Sequence, residues 1–281
     1  MKIGLALGGG GARGAAHIGV CVELTRLGIQ PHLITGTSIG GMVGALWAAG
    51  LTADEMTDFF TRLNLGQMYG LPGSMPALTS NAKIEKLLIG TLGHLTFADL
   101  STPLAVVTTD LISRQSVVLD EGDLISAVLA TIAIPIVLPP VERDGQMLVD
   151  GGLLNNTPFD IARARGATAV IAVDLSHSAP YGTPTAAAPP PAGIVAKALA
   201  LTQRRRTWQI MSAVADIITA QSFNARLAIS QPDVLLRPYL GTIGLFDFHR
   251  WQEGIEAGCT AVREAEAQLW ELVGKVNETR E

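Results

Sequence analysis

Short apolar runs alternate with segments of helical spacing along most of this chain. Helical spacing covers about Ala15–Leu27, Gly40–Ala49 and Thr52–Leu63. The alternation predicts an α/β fold of three layers, α/β/α, with a mostly parallel central sheet covered by helices on both faces. The runs with the length of buried strands are Ile3–Leu7, Leu33–Thr35, Leu104–Thr109, Gln115–Leu119, Gln146–Val149, Ala169–Asp174 and Asp233–Arg237.

We expect the 281 residues to form a single domain with a core at about 2–175. A loop at 176–193 follows, in which five prolines stand between small residues and exclude a regular element. Strand-like and helical segments continue over 194–281, so the loop is not predicted to be a domain boundary.

Two segments allow two interpretations each. Residues 66–80 are rich in Gly, Pro and Met and form either a lid or acyl-pocket wall, or a plain surface connection. Residues 194–228 have an apolar helical face that includes Val214, Ile217 and Ile218 and follows the cluster Arg204–Arg206. That face either lies on an anionic lipid surface or packs on the core or a second subunit, and we favour packing.

Composition narrows the function. The net charge of −5, without a basic stripe, argues against nucleic acid as a partner. The two cysteines are far apart in sequence, which argues against a disulfide framework and favours a reducing compartment. We find no metal-ligand spacing, no calcium loop, no signal peptide and no bilayer-spanning run. We therefore expect a cytoplasmic protein without metal or cofactor, and the oligomeric state stays open.

The pentapeptide Gly36–Gly40 is the first candidate for chemistry, because it has the form G-x-S-x-G directly after a strand-like run. Such a turn exposes a serine hydroxyl, here that of Ser38, and requires small residues at Gly36 and Gly40. The N-terminus of the following helix favours the negative charge that develops in acyl transfer. The alternative is a glycine-rich turn with an incidental serine.

A glycine-rich loop, Gly8–Gly14, joins the first strand to the first helix. It fits an oxyanion hole, because glycines leave N–H groups unobstructed near a helix N-terminus. Gly9, Gly11 and Gly14 also match the dinucleotide pattern G-x-G-x-x-G, but the second strand ends in Ser38 and not in an acidic residue for a ribose. A P-loop is excluded because no Lys-Ser/Thr pair follows. We favour the oxyanion hole.

Asp150 ends another strand-like run and precedes Gly151 and Gly152. A serine nucleophile needs a base, and a carboxylate beside two glycines can approach another loop closely. Taken alone, the sequence is more typical of an Asp-Gly turn between strands.

The three blocks, in this order and spacing, resemble the patatin-like phospholipase family. The resemblance covers about Lys2–Leu175, and Pro232–Pro238 with the final helix is similar to the C-terminal part of small bacterial members. It implies a Ser–Asp catalytic dyad in which Ser38 is the nucleophile and Asp150 the base. It also implies an oxyanion loop that Arg13 helps to order, formed by Gly9, Gly10, Gly11, Arg13 and Gly14.

The chain departs from the family pattern within Thr131–Pro140. Thr131 stands where a serine is usual, and Ile136 and Leu138 stand where Gly and Phe are usual. We expect these changes to alter the acyl pocket, and with it the substrate preference, but not the dyad.

These features predict a hydrolase of lipid or acyl esters that forms an acyl-enzyme, with modest activity that favours alkaline pH, and with transient membrane-surface contact as an option. Three alternatives remain. One is a Ser-Asp-His esterase that uses His177, with His249 as the other histidine after Asp150. The second is an acyltransferase, and the third is a non-catalytic lipid- or partner-binding protein of the same fold.

Overall fold

A computed structural model of the chain describes residues 2–63, 81–176, 213–214 and 216–278. Within these ranges the centre of the molecule is an eight-stranded sheet of order β5-β6-β3-β2-β1-β7-β8, and β4 pairs with β3 beside this path. The strands are β1 (Ile3–Leu7), β2 (Leu33–Thr37), β3 (Leu104–Asp110), β4 (Gln115–Leu119), β5 (Val141–Arg143), β6 (Gln146–Asp150), β7 (Ala169–Val173) and β8 (Val234–Leu236).

Helices cover the sheet. They are α1 (Ala15–Arg26), α2 (Ile39–Ala48), α3 (Ala53–Arg62), α4 (Ala82–Leu92), α5 (Leu124–Thr131), α6 (Phe159–Ala164), α7 (216–229), α8 (Trp251–Glu264) and α9 (Glu266–Glu278). Single 3-10 turns occur at Gly11–Gly14, Phe97–Asp99, Gly151–Leu153 and Phe248–Arg250.

The sheet is mostly parallel, as predicted. Strand β1 pairs in parallel with β2 and β7, while β2 with β3 and β7 with β8 continue the parallel part. Only the β4 and β5–β6 edge is antiparallel. Strands β1, β3 and β7 are buried along their whole length, because helices lie on both faces.

Side chains of β1 show how the two faces differ. Leu5 and Leu7 point into the larger core, beneath α1 and α2. Ala6 points into a smaller core against α6 and α7, where the Phe159 and Phe223 rings meet edge to face at 5.9 Å. Because alternate side chains of β1 enter cores on opposite faces of the sheet, the molecule has three layers, with the sheet between two layers of helices.

The sequence predicted the parallel strands closely but missed β5, which is only Val141–Arg143. Of the interpretation that the face of 194–228 packs on the core or on a second subunit, packing on the core is wrong for the described part, and packing on a second subunit stays a prediction. Val214, Ile217 and Ile218 on this face are all exposed, and Phe223 makes the buried contact of α7 instead. Residues 64–80 and 177–212, which include the candidate lid and Arg204–Arg206, lie outside the described residues.

Helices α1 and α8 cross very closely. A Cβ atom on Gly19 of α1 or on Gly258 of α8 would come under 3.0 Å from the backbone of the other helix. Helix α1 directly follows the Gly8–Gly14 loop, so the packing of α8 against α1 also helps to fix the end of that loop. In the described part of the chain, every helix is too short or too polar to cross a bilayer.

Candidate active site

Ser38 occupies a single-residue turn between β2 and α2. Its backbone has φ 55° and ψ −128°, a conformation that a non-glycine residue adopts only when its surroundings enforce it. Gly36 and Gly40 make the turn possible, since a Cβ on either would lie under 3.0 Å from backbone atoms of Gly40 or Leu7 respectively. The strained turn buries the Ser38 backbone and leaves its hydroxyl at the wall of two pockets.

Sheet register brings Asp150 to this serine. Val107 of β3 lies opposite Thr37 of β2, and the next residue, Thr108, lies opposite Asp150 of β6. The ends of β2 and β6 therefore meet across β3. The Ser38 hydroxyl donates a hydrogen bond to Oδ2 of Asp150 at 2.5 Å.

The Gly151–Gly152 pair lets the carboxylate sit there. A Cβ on Gly151 would lie under 3.0 Å from the Val107 carbonyl, so only glycine fits against β3. The N–H of Gly152 donates to Oδ1 of Asp150 at 2.8 Å. Both carboxylate oxygens therefore have a partner, and the side chain is held in one orientation.

Burial raises the pKa of Asp150 from 3.8 to about 6, although the hydrogen bonds from Ser38 and Gly152 act in the opposite direction. A carboxylate with such a pKa is mostly ionised at neutral pH and is still a better proton acceptor than an exposed aspartate. Proton transfer from a serine needs both properties.

The Gly8–Gly14 loop presents two free N–H groups. Those of Gly10 and Gly11 form no hydrogen bond within the described ranges, and both residues line a pocket together with Ser38. Gly11 has φ +57°, and its missing Cβ leaves room for the Leu245 carbonyl. The two amides are therefore available for a developing oxyanion.

Gly9, Arg13 and Gly14, predicted for the same hole, have other contacts. The Gly9 N–H donates to the Asn156 carbonyl at 3.0 Å. Gly14 lies against Ile39, where a Cβ would come under 3.0 Å from the side chain. The Gly9 N–H is thus bound within the protein, and the membership of Gly9, Arg13 and Gly14 in the oxyanion loop stays a prediction.

The buried Arg13 side chain ties the loop to later parts of the chain. Its Nε donates to the Ile243 carbonyl at 2.8 Å, and its two terminal nitrogens donate to the Asp216 carboxylate at 2.9 and 3.1 Å. The Ala12 N–H donates to the Leu245 carbonyl at 2.8 Å. The loop is thus fixed from α7 and from the segment before α8.

Asn156 was not among the residues that the sequence indicated. It binds the loop twice, because its carbonyl accepts from the Gly9 N–H and its side-chain amide donates to the Gly9 carbonyl at 3.2 Å. The adjacent Asn155 carbonyl accepts from Thr37 Oγ1 at 2.8 Å. The available signal was the Asn-Asn-Thr-Pro run shortly after Asp150, which is more typical of a turn.

Two pockets meet at Ser38. One has a cavity volume of about 30 Å³ and an almost wholly apolar lining that includes Met42, Leu63, Ile84, Ile132, Leu138 and Phe248. The other has a cavity volume of about 110 Å³, and its lining includes Gly10, Asp150, Asn156 and Ser176. The serine therefore separates an apolar compartment from a more polar one.

The departures within Thr131–Pro140 have separate consequences. Leu138 lines the apolar pocket, as expected. Ile136 is 68% exposed and has φ 72°. The expectation that Thr131 shapes the acyl pocket is wrong, because Thr131 is fully buried and its hydroxyl binds the backbone of Ser38 and Val107.

Among the described residues, no histidine forms a hydrogen bond with Ser38 or Asp150. Both oxygens of Asp150 bind Ser38 and Gly152, while His249 is exposed on the Phe248–Arg250 turn. His17 is buried on α1, where its Nε2 lies 2.7 Å from the Gly8 carbonyl and burial lowers its pKa to about 4. His177 lies outside the described residues.

Comparison with known proteins places the chain in a family. The model of the patatin-like phospholipases matches residues 5–163, and the chain belongs to that family. An uncharacterised NTE family protein of Mycobacterium tuberculosis is 32% identical over 272 residues, which is 94% of this chain and 46% of that protein. The chain thus spans less than half the length of that relative.

Other relatives match a shorter region. The neuropathy target esterase of Drosophila melanogaster is 35% identical over 183 residues, or 62% of this chain and 13% of the relative. Among solved structures, VipD of Legionella pneumophila has a TM-score of 0.56 at 13% identity, covering 94% of this chain and 67% of VipD. At that identity the likeness to VipD concerns the fold alone.

Proposed function

We propose that this chain hydrolyses fatty acyl esters of lipids through an acyl-enzyme on Ser38. The observation that carries the proposal is the 2.5 Å hydrogen bond from Ser38 to Asp150 in a turn of strained backbone conformation. Family membership supports lipid esters as the substrate class. A relative is named as an esterase, which agrees with ester cleavage.

In the first half of the reaction, Asp150 accepts the hydroxyl proton while Oγ of Ser38 attacks the ester carbonyl. The N–H groups of Gly10 and Gly11, with that of Ile39 at the start of α2, hold the oxyanion. Asp150 then returns the proton to the leaving alcohol oxygen, the ester C–O bond breaks, and the acyl group stays on Ser38.

In the second half, Asp150 accepts a proton from a water molecule that attacks the acyl-enzyme. The fatty acid leaves and Ser38 recovers its proton. We assign the acyl chain to the side of the apolar pocket, because its lining offers contact to methylene groups, and the alcohol portion to the side of the more polar pocket. Leu138, where a phenylalanine is usual in the family, leaves more space beside the acyl chain.

Hydrolysis of p-nitrophenyl esters of increasing acyl length tests the proposal, with wild type, Ser38→Ala and Asp150→Asn side by side. We expect wild type to turn over and both variants to lose at least about 10³-fold in rate while they keep native circular dichroism. Labelling by a fluorophosphonate probe, followed by peptide mass analysis, should modify Ser38 alone. An inert wild type that the probe also fails to label would overturn the proposal.

A further inference from the structure

Thr131 ends α5 with its hydroxyl against the backbone of the proposed nucleophile. The hydroxyl oxygen accepts the Ser38 N–H at 2.9 Å, and the hydroxyl donates its own proton to the Val107 carbonyl at 2.5 Å. The side chain is fully buried. It belongs to the lining of neither pocket at Ser38, so its contacts are with the protein and not with substrate.

The Ser38 N–H has few other possible acceptors. The β2–β3 ladder ends at the Thr37–Val107 pair, one residue earlier. The first N–H groups of α2 have no acceptor inside the helix, because the preceding turn is missing there. A buried N–H without a partner is strongly unfavourable, so the Thr131 hydroxyl satisfies a need that the strained turn creates.

Val107 connects this contact to the base. Its carbonyl accepts from Thr131, and the same carbonyl packs against Gly151, next to Asp150. The following residue of β3, Thr108, is the ladder partner of Asp150. The backbones of Ser38 and Asp150 are therefore both positioned by the same segment of β3, at Val107 and Thr108.

We infer that Thr131 is a positioning residue for the acyl transfer proposed above, on which this inference rests. It holds Ser38 in the conformation that directs Oγ at Asp150. The methyl group adds to this, because Cγ2 fills the space beside Gly41, where a Cβ would come within 2.9 Å. A β-branched side chain at this site also has few rotamers, which keeps the hydroxyl in place.

Three variants distinguish the effect of the Thr131 hydroxyl from the effect of its side-chain volume. Thr131→Val keeps the shape and removes the hydroxyl, while Thr131→Ser keeps the hydroxyl and removes the methyl group. Thr109→Val is the matched control, because Thr109 is buried on the same strand as Val107 and its hydroxyl has no partner within the described residues. We expect all three to fold, as checked by circular dichroism and thermal unfolding.

The first measurement is the rate at which a fluorophosphonate probe labels Ser38. Displacing a reacting atom by about 1 Å costs on the order of 10²-fold in rate, so Thr131→Val should label about 10- to 100-fold more slowly than wild type. Thr131→Ser should stay within about threefold and Thr109→Val should equal wild type, because both keep the hydrogen bond to Ser38.

Steady-state kinetics on p-nitrophenyl butyrate supply a second readout. In Thr131→Val the loss should fall on kcat with KM nearly unchanged, since the pocket linings stay intact. The midpoint of the pH–kcat profile should also rise in Thr131→Val, because a displaced Ser38 no longer donates the hydrogen bond that lowers the pKa of Asp150. General loosening of the fold would lower the melting temperature without moving that midpoint.

The outcomes are distinct. Failure of the probe to label wild type contradicts the proposed function itself. Labelling of wild type and Thr131→Val at equal rates overturns the inference and leaves the proposed function standing. If Thr131→Val does not fold, Thr131→Cys replaces it, because a thiol is a weak acceptor of similar size, and labelling at the wild-type rate would again overturn the inference.

Discussion

Ser38 and Ile136 both have a positive φ but have opposite surroundings. Their φ angles are 55° and 72°, in the left-handed region that side chains other than glycine rarely adopt. Ser38 is almost fully buried, its N–H binds Thr131, and its hydroxyl binds Asp150. Ile136 is 68% exposed, and it is β-branched, the side-chain type for which this conformation is least favourable.

The difference teaches how to interpret backbone strain. At Ser38 the conformation is over-determined by hydrogen bonds and by glycines that permit close approach, which is the condition under which strain accompanies chemistry. At Ile136 the turn requires a conformation suited to the glycine that is usual there in the family. Strain alone therefore does not indicate a catalytic residue, whereas strain together with buried polar contacts supports the role proposed for Ser38.

The largest expected effect comes from removing the nucleophile. Ser38→Ala and Ser38→Gly should both lower the esterase rate by at least about 10³-fold, because no acyl-enzyme can form. Between the two, Ser38→Gly should be more stable by about 1 kcal/mol, because glycine adopts a positive φ without strain. Urea unfolding of both variants checks this, and equal stability would mean that the turn is not strained.

Close packing at the elbow should give the next largest effect. Gly40→Ala places a methyl group against the Leu7 carbonyl and should lower the free energy of unfolding by about 2–4 kcal/mol. The matched control is Gly90→Ala in α4, where nothing lies within 4 Å. That variant should gain about 0.5–1 kcal/mol from helix propensity. A Gly40→Ala protein of wild-type stability would contradict the close approach.

Asp150 should make both activity and stability depend on pH. The rate should increase about tenfold per pH unit below about pH 6 and level off above it, because only the ionised carboxylate accepts the proton. A pH–rate profile on a non-ionising ester checks this. A midpoint near 4 would contradict the effect of burial.

Stability should change in the opposite direction. The folded protein binds the Asp150 proton more tightly than the unfolded chain, whose aspartate has a pKa of 3.8. The resulting stabilisation is complete below about pH 4 and is lost as pH rises through about 6, a difference of about 3 kcal/mol. Asp150→Asn should remove this dependence. The free energy of unfolding of the variant, measured in urea, should therefore increase relative to that of wild type from pH 4 to pH 7.

The smallest effect is expected at Ile136. Ile136→Gly should raise the free energy of unfolding by about 1 kcal/mol, because it removes left-handed strain and little packing is lost at an exposed side chain. Asp144→Gly is the control, since Asp144 has φ 51° and aspartate tolerates this region, so its change should be close to zero. Loss of stability in Ile136→Gly would mean that the isoleucine makes contacts that compensate its backbone.

Much of the fold could be predicted because buried parallel strands leave continuous apolar runs. Strand β5 could not, since Val141–Arg143 is short and charged and follows two prolines. Glycine spacing revealed the Ser38 and Asp150 blocks, because glycines at close approaches are a local signal. The roles of Thr131 and Asn156 depend on hydrogen bonds to residues 93 and 147 positions away, and such pairs leave no local pattern.

The support of the oxyanion loop has a consequence for dissecting this chain. The family match ends at residue 163, and both proposed reacting groups lie inside it. Arg13 and Ala12, however, bind Asp216, Ile243 and Leu245, and α8 packs against α1 through Gly258. A transplant of residues 5–163 into another scaffold would carry the proposed nucleophile and base. It would lack the later residues that hold the Gly8–Gly14 loop in place. The smallest piece that can be moved as a working unit therefore extends at least to the end of α8.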